Sequence, residues 1–316
     1  MTDKYFDLKN KKVFVAGHNG MVGQAVIRSL KSESCKILTV SKSEIDLLNQ
    51  SDVEKWIGFN KPDVVIICAA KVGGILANSN YPAEFIYNNL MIATNIIHAS
   101  HKFNVMKLIF LGSSCIYPRL CKQPMTEDML LSGHLEPTNE WYAIAKISGI
   151  KMCQAYRKQY NDDFISVMPT NLYGQGDNYN LETSHVIPAL LKKIYLARQS
   201  NSADVEIWGT GNVRREFLHV DDCANGIIFL LKNYSGLDHV NLGFGKDLTI
   251  RQLAKTIMKV TGYDGTLRFE TSKPDGMPVK LLDSSFINKL GWSPKIELEE
   301  GLRLALEDLK TQINNH

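Results

Sequence analysis

Apolar residues along this chain fall into two alternating rhythms, short unbroken runs and longer stretches at helical spacing. Lys12-Val-Phe-Val-Ala is a β-branched run that breaks into Gly17, Gly20 and Gly23, and a helical pattern continues through Leu30. A second strand is predicted from Lys36 to Val40. Val64-Val-Ile-Ile-Cys-Ala-Ala70 is continuously apolar, as expected of a parallel strand covered on both faces. Tyr81 to His101 repeats Phe85, Ile86, Leu90, Ile92, Ile96 and Ile97 at helical spacing, and Val105 to Gly112 is another strand. About twenty irregular residues follow, Leu120 to Asn139, long enough to cover a ligand. A helix from Asn139 to Tyr160 and a strand from Phe164 to Pro169 come next. Alternating strands and helices predict an α/β, doubly wound parallel sheet. Beyond about residue 175 the alternation weakens. Short strands around Val205 to Trp208, Val240 to Leu242 and Leu267 to Glu270, with helices at Val186 to Leu196 and Leu298 to Ile313, read as a smaller C-terminal lobe.

Strand, glycine turn and helix is the order that dinucleotide binding requires. Gly17 would permit the tight turn, Gly20 would let the backbone approach a pyrophosphate, and Gly23 would let the helix pack closely on the strand. The second strand ends in Ser41-Lys42 instead of a carboxylate. A hydroxyl and an ammonium suit the 2′-phosphate of NADP, while Glu44 and Asp46 nearby keep NAD open. Residues 1–175 are thus expected to form an NADP-binding Rossmann domain with the catalytic residues. Residues 176–316 are expected to form mainly a substrate lobe, with segments returning to the first domain.

Charge adds little. The 316 residues carry 36 basic and 33 acidic side chains, net +3, with no basic run of five, which gives no reason to expect nucleic acid. Val64 to Ala70 is too short to span a bilayer and the opening residues do not read as a signal peptide, so a cytoplasmic protein away from the membrane is expected. The six cysteines contain no Cys-x-x-Cys pair, which argues against a disulfide framework or a zinc site. Asp221-Asp222 reads as a helix start rather than a metal site.

Tyr142 and Lys146 lie four residues apart in a helix-prone stretch and so share a face. An ammonium about 4 Å from the phenol, at an effective dielectric of ~20, contributes roughly 4 kcal/mol, at most about three pKa units, and would let the phenol titrate near neutrality. Gly112-Ser-Ser-Cys-Ile-Tyr-Pro118 closes a strand at the carboxyl edge where such sheets hold ligands. Taken singly, Cys115 reads as a packed thiol and His185 as a cap for the helix that follows it.

The glycine triplet, Ser113 and Tyr142-Ala-Ile-Ala-Lys146 together resemble the extended short-chain dehydrogenase/reductase family. Gly17-His18, Ala69-Ala-Lys-Val-Gly-Gly74, Gly112-Ser-Ser-Cys-Ile-Tyr-Pro118, Glu136-Pro-Thr-Asn-Glu140, Met168-Pro-Thr-Asn-Leu-Tyr-Gly174, Ser184-His-Val-Ile-Pro188 and Arg215-Glu-Phe-Leu-His-Val-Asp-Asp222 are similar to its GDP-L-fucose synthase branch over nearly the whole chain. That resemblance implies inversion at C3 and C5 of a GDP-4-keto-6-deoxymannose, then NADPH reduction of the C4 ketone. It implies Cys115 and His185 as base and acid, Ser113 and Tyr142 as the oxygen-binding pair, and Lys146 as the residue that tunes Tyr142 and holds the nicotinamide ribose. An ordinary thiol is only a few per cent thiolate at pH 7, so Cys115 would need a positive charge beside it.

The same resemblance implies cofactor contacts at Gly17, His18, Asn19, Gly20, Met21, Val22, Gly23, Lys42, Leu111, Gly112, Ser113, Ser114, Lys146, Pro169, Thr170, Asn171, Leu172 and His185. It implies Lys193, Trp208, Arg215, Asp275 and Lys280 along the nucleotide sugar, and a homodimer built on the helices Tyr81 to His101 and Asn139 to Tyr160. Asn19, Trp141, Val279 and the loop Asp177 to Thr183 depart from the family pattern. The alternatives are a C4-reductase without epimerisation acting on a GDP-4-keto-heptose or another GDP-deoxy sugar, and a dinucleotide-binding regulator without turnover.

Overall fold

The computed structural model describes residues 5–181, 183–273 and 275–314; the opening residues 1–4 and residue 182 of the departing loop lie outside them. In chain order the elements are β1 (Lys12–Ala16), α1 (Met21–Leu30), β2 (Lys36–Leu38), α2 (Gln50–Asn60), β3 (Val64–Ile67), α3 (Ile75–Asn80), α4 (Pro82–Lys102), β4 (Lys107–Leu111), α5 (Glu140–Tyr160), β5 (Phe164–Pro169) and β6 (Asn171–Tyr173). There follow α6 (Val186–Gln199), β7 (Asp204–Trp208), β8 (Arg214–His219), α7 (Val220–Asn233), β9 (Val240–Leu242), β10 (Asp247–Thr249), α8 (Ile250–Thr261), β11 (Thr266–Glu270), β12 (Val279–Lys280), α9 (Ser285–Lys289) and α10 (Leu298–Asn314).

Six strands in the order β2-β1-β3-β4-β5-β9 form one sheet, parallel throughout. The largely apolar strands β3, β4 and β5 are buried at every position, Lys107 and Ser166 included, because helices cover both faces. Along β1 the layers separate with period two. Val13 and Val15 pack towards α1 and α7 with Leu30 and Ile227, whereas Phe14 and Ala16 pack towards α2, α4 and α5 with Ile57, Ile96 and Ile150. A third apolar cluster, including Leu191, Ile194, Leu253, Ile257, Leu302 and Leu309, joins α6, α8 and α10.

Helix ends follow their local chemistry. Asn49 caps α2 by accepting from the N–H groups of Ser51 and Asp52, and Thr249 with Gln252 forms a capping box on α8. α8 stops at Gly262, whose φ of +68° is left-handed backbone that glycine adopts freely.

β8 is the hub of the second lobe. It pairs antiparallel with β10 and parallel with β6 and β12, in a register that sets Lys280 opposite Arg215. β7 and β11 form a separate parallel pair.

Two sequence expectations change. Val240–Leu242, read as a strand of the smaller lobe, instead extends the central sheet beside β5. A strand of three residues carries too little periodicity to reveal its sheet. β2 ends at Leu38 instead of Val40. Among the described residues, no helix is long and apolar enough to cross a membrane, and no group of three or more His, Cys, Asp or Glu side chains is arranged to hold a metal ion. All six cysteines are free thiols.

Candidate active site

β1 lies between β2 and β3, so the chain crosses in opposite directions from it and leaves a crevice at the carboxyl ends of β1 and β3. Gly17 turns there with φ +84°, and a Cβ on it would lie 2.5 Å from the backbone nitrogen of Ala69. A Cβ on Gly23 would overlap the carbonyl oxygen of Gly17. These two glycines are required by the protein's own packing. Gly20 is different, since its Cβ would meet only that same oxygen at an ordinary 3.5 Å.

As the N-cap of α1, Gly20 supplies no side-chain bond, so the first-turn N–H groups of Met21, Val22 and Gly23 point out of the helix with its positive dipole end. That is the surface a pyrophosphate requires, and these residues fit a dinucleotide. His18 and Asn19 sit in the turn itself, where the Asn19 carbonyl accepts from Gln24 at 2.7 Å. At the end of β2 the N–H and hydroxyl of Ser41 both donate to Glu44 at 2.7 Å. These two bonds hold the Glu44 carboxyl below its ordinary range. Ser41 is therefore already engaged, and Lys42 is the exposed cation of this strand end.

At the carboxyl end of β4, Gly112 fits under Met168, whose sulfur would collide with any Cβ. Ser113 opens a 3₁₀ turn, Ser114–Ile116, and its hydroxyl accepts the N–H of Cys115 at 3.3 Å. The Cys115 sulfur accepts from the Lys280 ammonium at 3.3 Å and from the Asn139 side-chain amide at 3.3 Å. Burial pushes this thiol up. The Lys280 charge, with hydrogen bonds from Ser113, Lys280 and Asn139, outweighs that and brings it below its ordinary value. The positive charge that a basic cysteine needs is thus present.

Tyr142 behaves otherwise than its spacing from Lys146 predicts. Burial first, and the Cys115 charge second, raise the phenol above its ordinary value, with a bond to Ser113 opposing them. The Lys146 ammonium lies 5.6 Å from the centre of the Tyr142 ring, over Phe110 at 5.0 Å, and donates to the Leu111 carbonyl at 2.8 Å. Burial pulls Lys146 itself down to about 8, with Cys68 opposing. Helical spacing brings the pair close but carries no information about desolvation, and desolvation wins.

His185 holds the N-cap position of α6 without a side-chain cap bond among the described residues, so the expected capping role is not taken by its ring. His185 is solvent-exposed, although protein atoms crowd around its ring. Burial among its neighbours, then the Lys280 charge, lowers its pKa. Lys280 therefore acts electrostatically on both Cys115 and His185. Thr170 and Asn171 direct their side chains to the Glu216 carbonyl at 3.4 and 2.8 Å, fixing the turn between Pro169 and Leu172.

Lys193 forms a second grouping with Trp208, 5.4 Å from the indole, and Lys273 covers the same ring at 5.3 Å. Arg215 donates to the carbonyls of Met277 at 2.6 Å and Arg214 at 2.8 Å. The Asp275 carboxylate is engaged within the protein, accepting the N–H of Thr210 at 2.8 Å and its hydroxyl at 2.7 Å.

Asn139 and Lys273 escaped sequence reasoning. Asn139 sits where a helix cap is expected, yet among the described residues it makes no side-chain cap bond; its amide serves Cys115, and its side-chain oxygen is buried without a partner. Its position three residues before Tyr142, one helical turn away, is the clue the sequence offered.

A glycine crevice for a dinucleotide beside a serine, cysteine, tyrosine and lysine at one sheet edge defines an oxidoreductase or epimerase of carbonyl compounds. Residues 13–243 match the model of the NAD dependent epimerase/dehydratase family, and the chain belongs to that family. It is 51% identical over 306 residues to the GDP-L-fucose synthase of Sinorhizobium fredii, covering 97% of this chain and 98% of that protein. Among solved structures it resembles a GDP-6-OMe-4-keto-L-xylo-heptose reductase from C. jejuni, with a TM-score of 0.89, 37% identity and coverage of 96% of this chain and 98% of the other. It also resembles a GDP-L-fucose synthetase from Naegleria fowleri bound to NADP, with a TM-score of 0.90, 28% identity and coverage of 99% and 97%.

Proposed function

We infer that this chain is an NADPH-dependent GDP-4-keto-6-deoxymannose 3,5-epimerase-4-reductase, the activity of a GDP-L-fucose synthase. The near full-length likeness to the Sinorhizobium fredii enzyme supports the substrate class, and the Naegleria fowleri structure bound to NADP supports the cofactor. The observation that carries the epimerase half is the Cys115 sulfur bonded to both Lys280 and Asn139 beside Ser113 and Tyr142. Ketone reduction by itself gives no reason for an activated thiol at this position.

Carbons flanking a ketone lose protons when the resulting charge spreads onto the carbonyl oxygen. Cys115 takes the proton from C3, gives it up to solvent as His185 takes another from solvent, and then takes the proton from C5. Ser113 and Tyr142 donate hydrogen bonds to the developing C4 oxygen. His185 returns a proton on the opposite face, and its lowered pKa makes the imidazolium a stronger acid. NADPH, when bound, would supply the hydride for C4. Tyr142, held as a phenol by its raised pKa, then gives its proton to the C4 oxygen, with Lys146 one helical turn away. Gly17 to Gly23 and Lys42 would hold the dinucleotide, together with Leu111 to Ser114, Lys146 and Pro169 to Leu172. Lys193, Trp208 and Arg215 hold the GDP portion. The protein works in the cytoplasm as a homodimer across α4 and α5, whose exposed Tyr87, Trp141 and Tyr160 supply apolar surface for a partner copy.

The test is turnover in deuterium oxide with NADPH and a panel of GDP-4-keto hexoses and heptoses, followed by product NMR. Stoichiometric NADPH loss with deuterium at C3 and C5 of the 6-deoxyhexose is expected. NADPH loss without deuterium, fastest on a heptose, would assign a C4-reductase like the C. jejuni protein instead. No NADPH loss on any of them would end the reductase reading.

A further inference from the structure

Lys280 sits on a strand fixed from both sides. β12 pairs with β8, setting Lys280 opposite Arg215. The residues after it are held as firmly. The Leu281 N–H donates to Gln123 at 2.9 Å, its carbonyl accepts from Met125 at 2.8 Å, and the Leu282 N–H donates to the buried Glu216 carboxylate at 3.1 Å. The backbone that carries Lys280 is thus tied to the sheet and to the loop below Cys115. Its ammonium does not join Arg215, whose guanidinium bonds the carbonyls of Arg214 and Met277. It ends 3.3 Å from the Cys115 sulfur.

We propose that Lys280 is the positioning residue of the proton-abstraction step, holding Cys115 as an aimed thiolate, and that Arg215 without Lys280 faces the diphosphate. The inference rests on the reading of Cys115 as the base. The groups that face Cys115 are consistent with it. Lys280 comes from β12, Tyr142 from α5 as a neutral phenol, and Ser113 and Asn139 as neutral polar neighbours, while His185 from the start of α6 feels the same ammonium. Glu136 and Asp275 act on Arg215. Lys280 is therefore the cation that acts on the sulfur among the described residues.

The experiment is the pH dependence of Cys115 alkylation by iodoacetamide in the full-length protein. It is read on the Cys115 peptide by mass spectrometry, for wild type, Lys280→Gln and Lys280→Arg, and it requires no substrate. In wild type the midpoint should fall below the ordinary thiol value of about 8.5. Lys280→Gln should raise it by about one unit, leaving roughly tenfold less thiolate at pH 7, and Lys280→Arg should restore most of it. Deuterium uptake at C3 and C5 should fall by the same factor in Lys280→Gln at pH 7 and recover as pH rises, with KM changed less than kcat.

An unchanged midpoint in Lys280→Gln, or a rise in KM alone, would overturn the proposal in favour of diphosphate binding. An ordinary midpoint in wild type would overturn it whether or not the variant folds. A shifted midpoint with no deuterium uptake by wild type would uphold the coupling and refute the epimerase reading.

Discussion

Asp177 gives the chain a stability that depends on pH in an unusual direction. It lies in the loop after β6, 9% exposed, with one carboxylate oxygen accepting the N–H of Asn178 at 2.8 Å and the other buried without a hydrogen-bond partner among the described residues. Burial, with the charge of Asp308 on α10 adding to it and the Asn178 bond opposing it, raises its pKa from 3.8 to about 7. The folded chain thus keeps a proton that the unfolded chain gives up between those values. Stability from this group is complete below about pH 4, falls as pH rises to about 7 and is flat beyond. A displacement of about three units corresponds to about 4 kcal/mol.

Asp177→Asn keeps the acceptor for Asn178 and removes the ionisation. Its unfolding free energy, measured by urea denaturation, should exceed that of wild type by up to about 4 kcal/mol at pH 8, and the two should converge near pH 4. Subtracting the two curves removes every other titrating group that both proteins share. Parallel curves for wild type and variant from pH 4 to 8 would refute the reasoning.

Tyr142→Phe should lower NADPH oxidation with the keto sugar by about 10²- to 10⁴-fold, because it removes the proton donor to C4; a loss below threefold would place that proton elsewhere. Gly23→Ala should destabilise the fold by about 1–3 kcal/mol, because the new methyl overlaps the Gly17 carbonyl and must displace α1 or the turn. It should weaken NADPH binding at the same time, and thermal melting with cofactor fluorescence titration reads both. Lys42→Glu should lower the ratio of kcat/KM for NADPH over NADH at least tenfold by placing a carboxylate beside the 2′ position; an unchanged ratio would show that Lys42 does not read the phosphate.

The central sheet was legible because each of its long strands is covered on both faces, so Val64–Ile67 appears in the sequence as an unbroken apolar run and Phe164–Pro169 as one interrupted only by Ser166. The glycine turn was legible for a steric reason, since Gly17 and Gly23 leave no room for a Cβ. Lys280 could be assigned only to the nucleotide-sugar site by resemblance. Its contact spans 165 residues and exists only once β12 has joined β8. The ionisation of Tyr142 was hidden for another reason. Helical spacing fixes how near Lys146 comes, but the sign of the shift depends on how much water the surrounding fold removes.

The charges at this edge are mutually exclusive in a way that orders the chemistry. A thiolate at Cys115 raises the pKa of Tyr142, so the state in which the base is ready is also the state in which the phenol keeps its proton. Lys280 favours the thiolate directly and, through it, keeps the phenol protonated. The same ammonium, after burial, disfavours a charged His185, so an imidazolium formed there is a stronger acid than usual. In the proposed mechanism, proton abstraction then starts from thiolate beside phenol. When Cys115 is protonated by a returning substrate proton, that barrier to Tyr142 ionisation weakens. In the proposed mechanism, donation of the phenolic proton to the C4 oxygen is therefore easiest when the thiol is neutral, which places reduction after epimerisation.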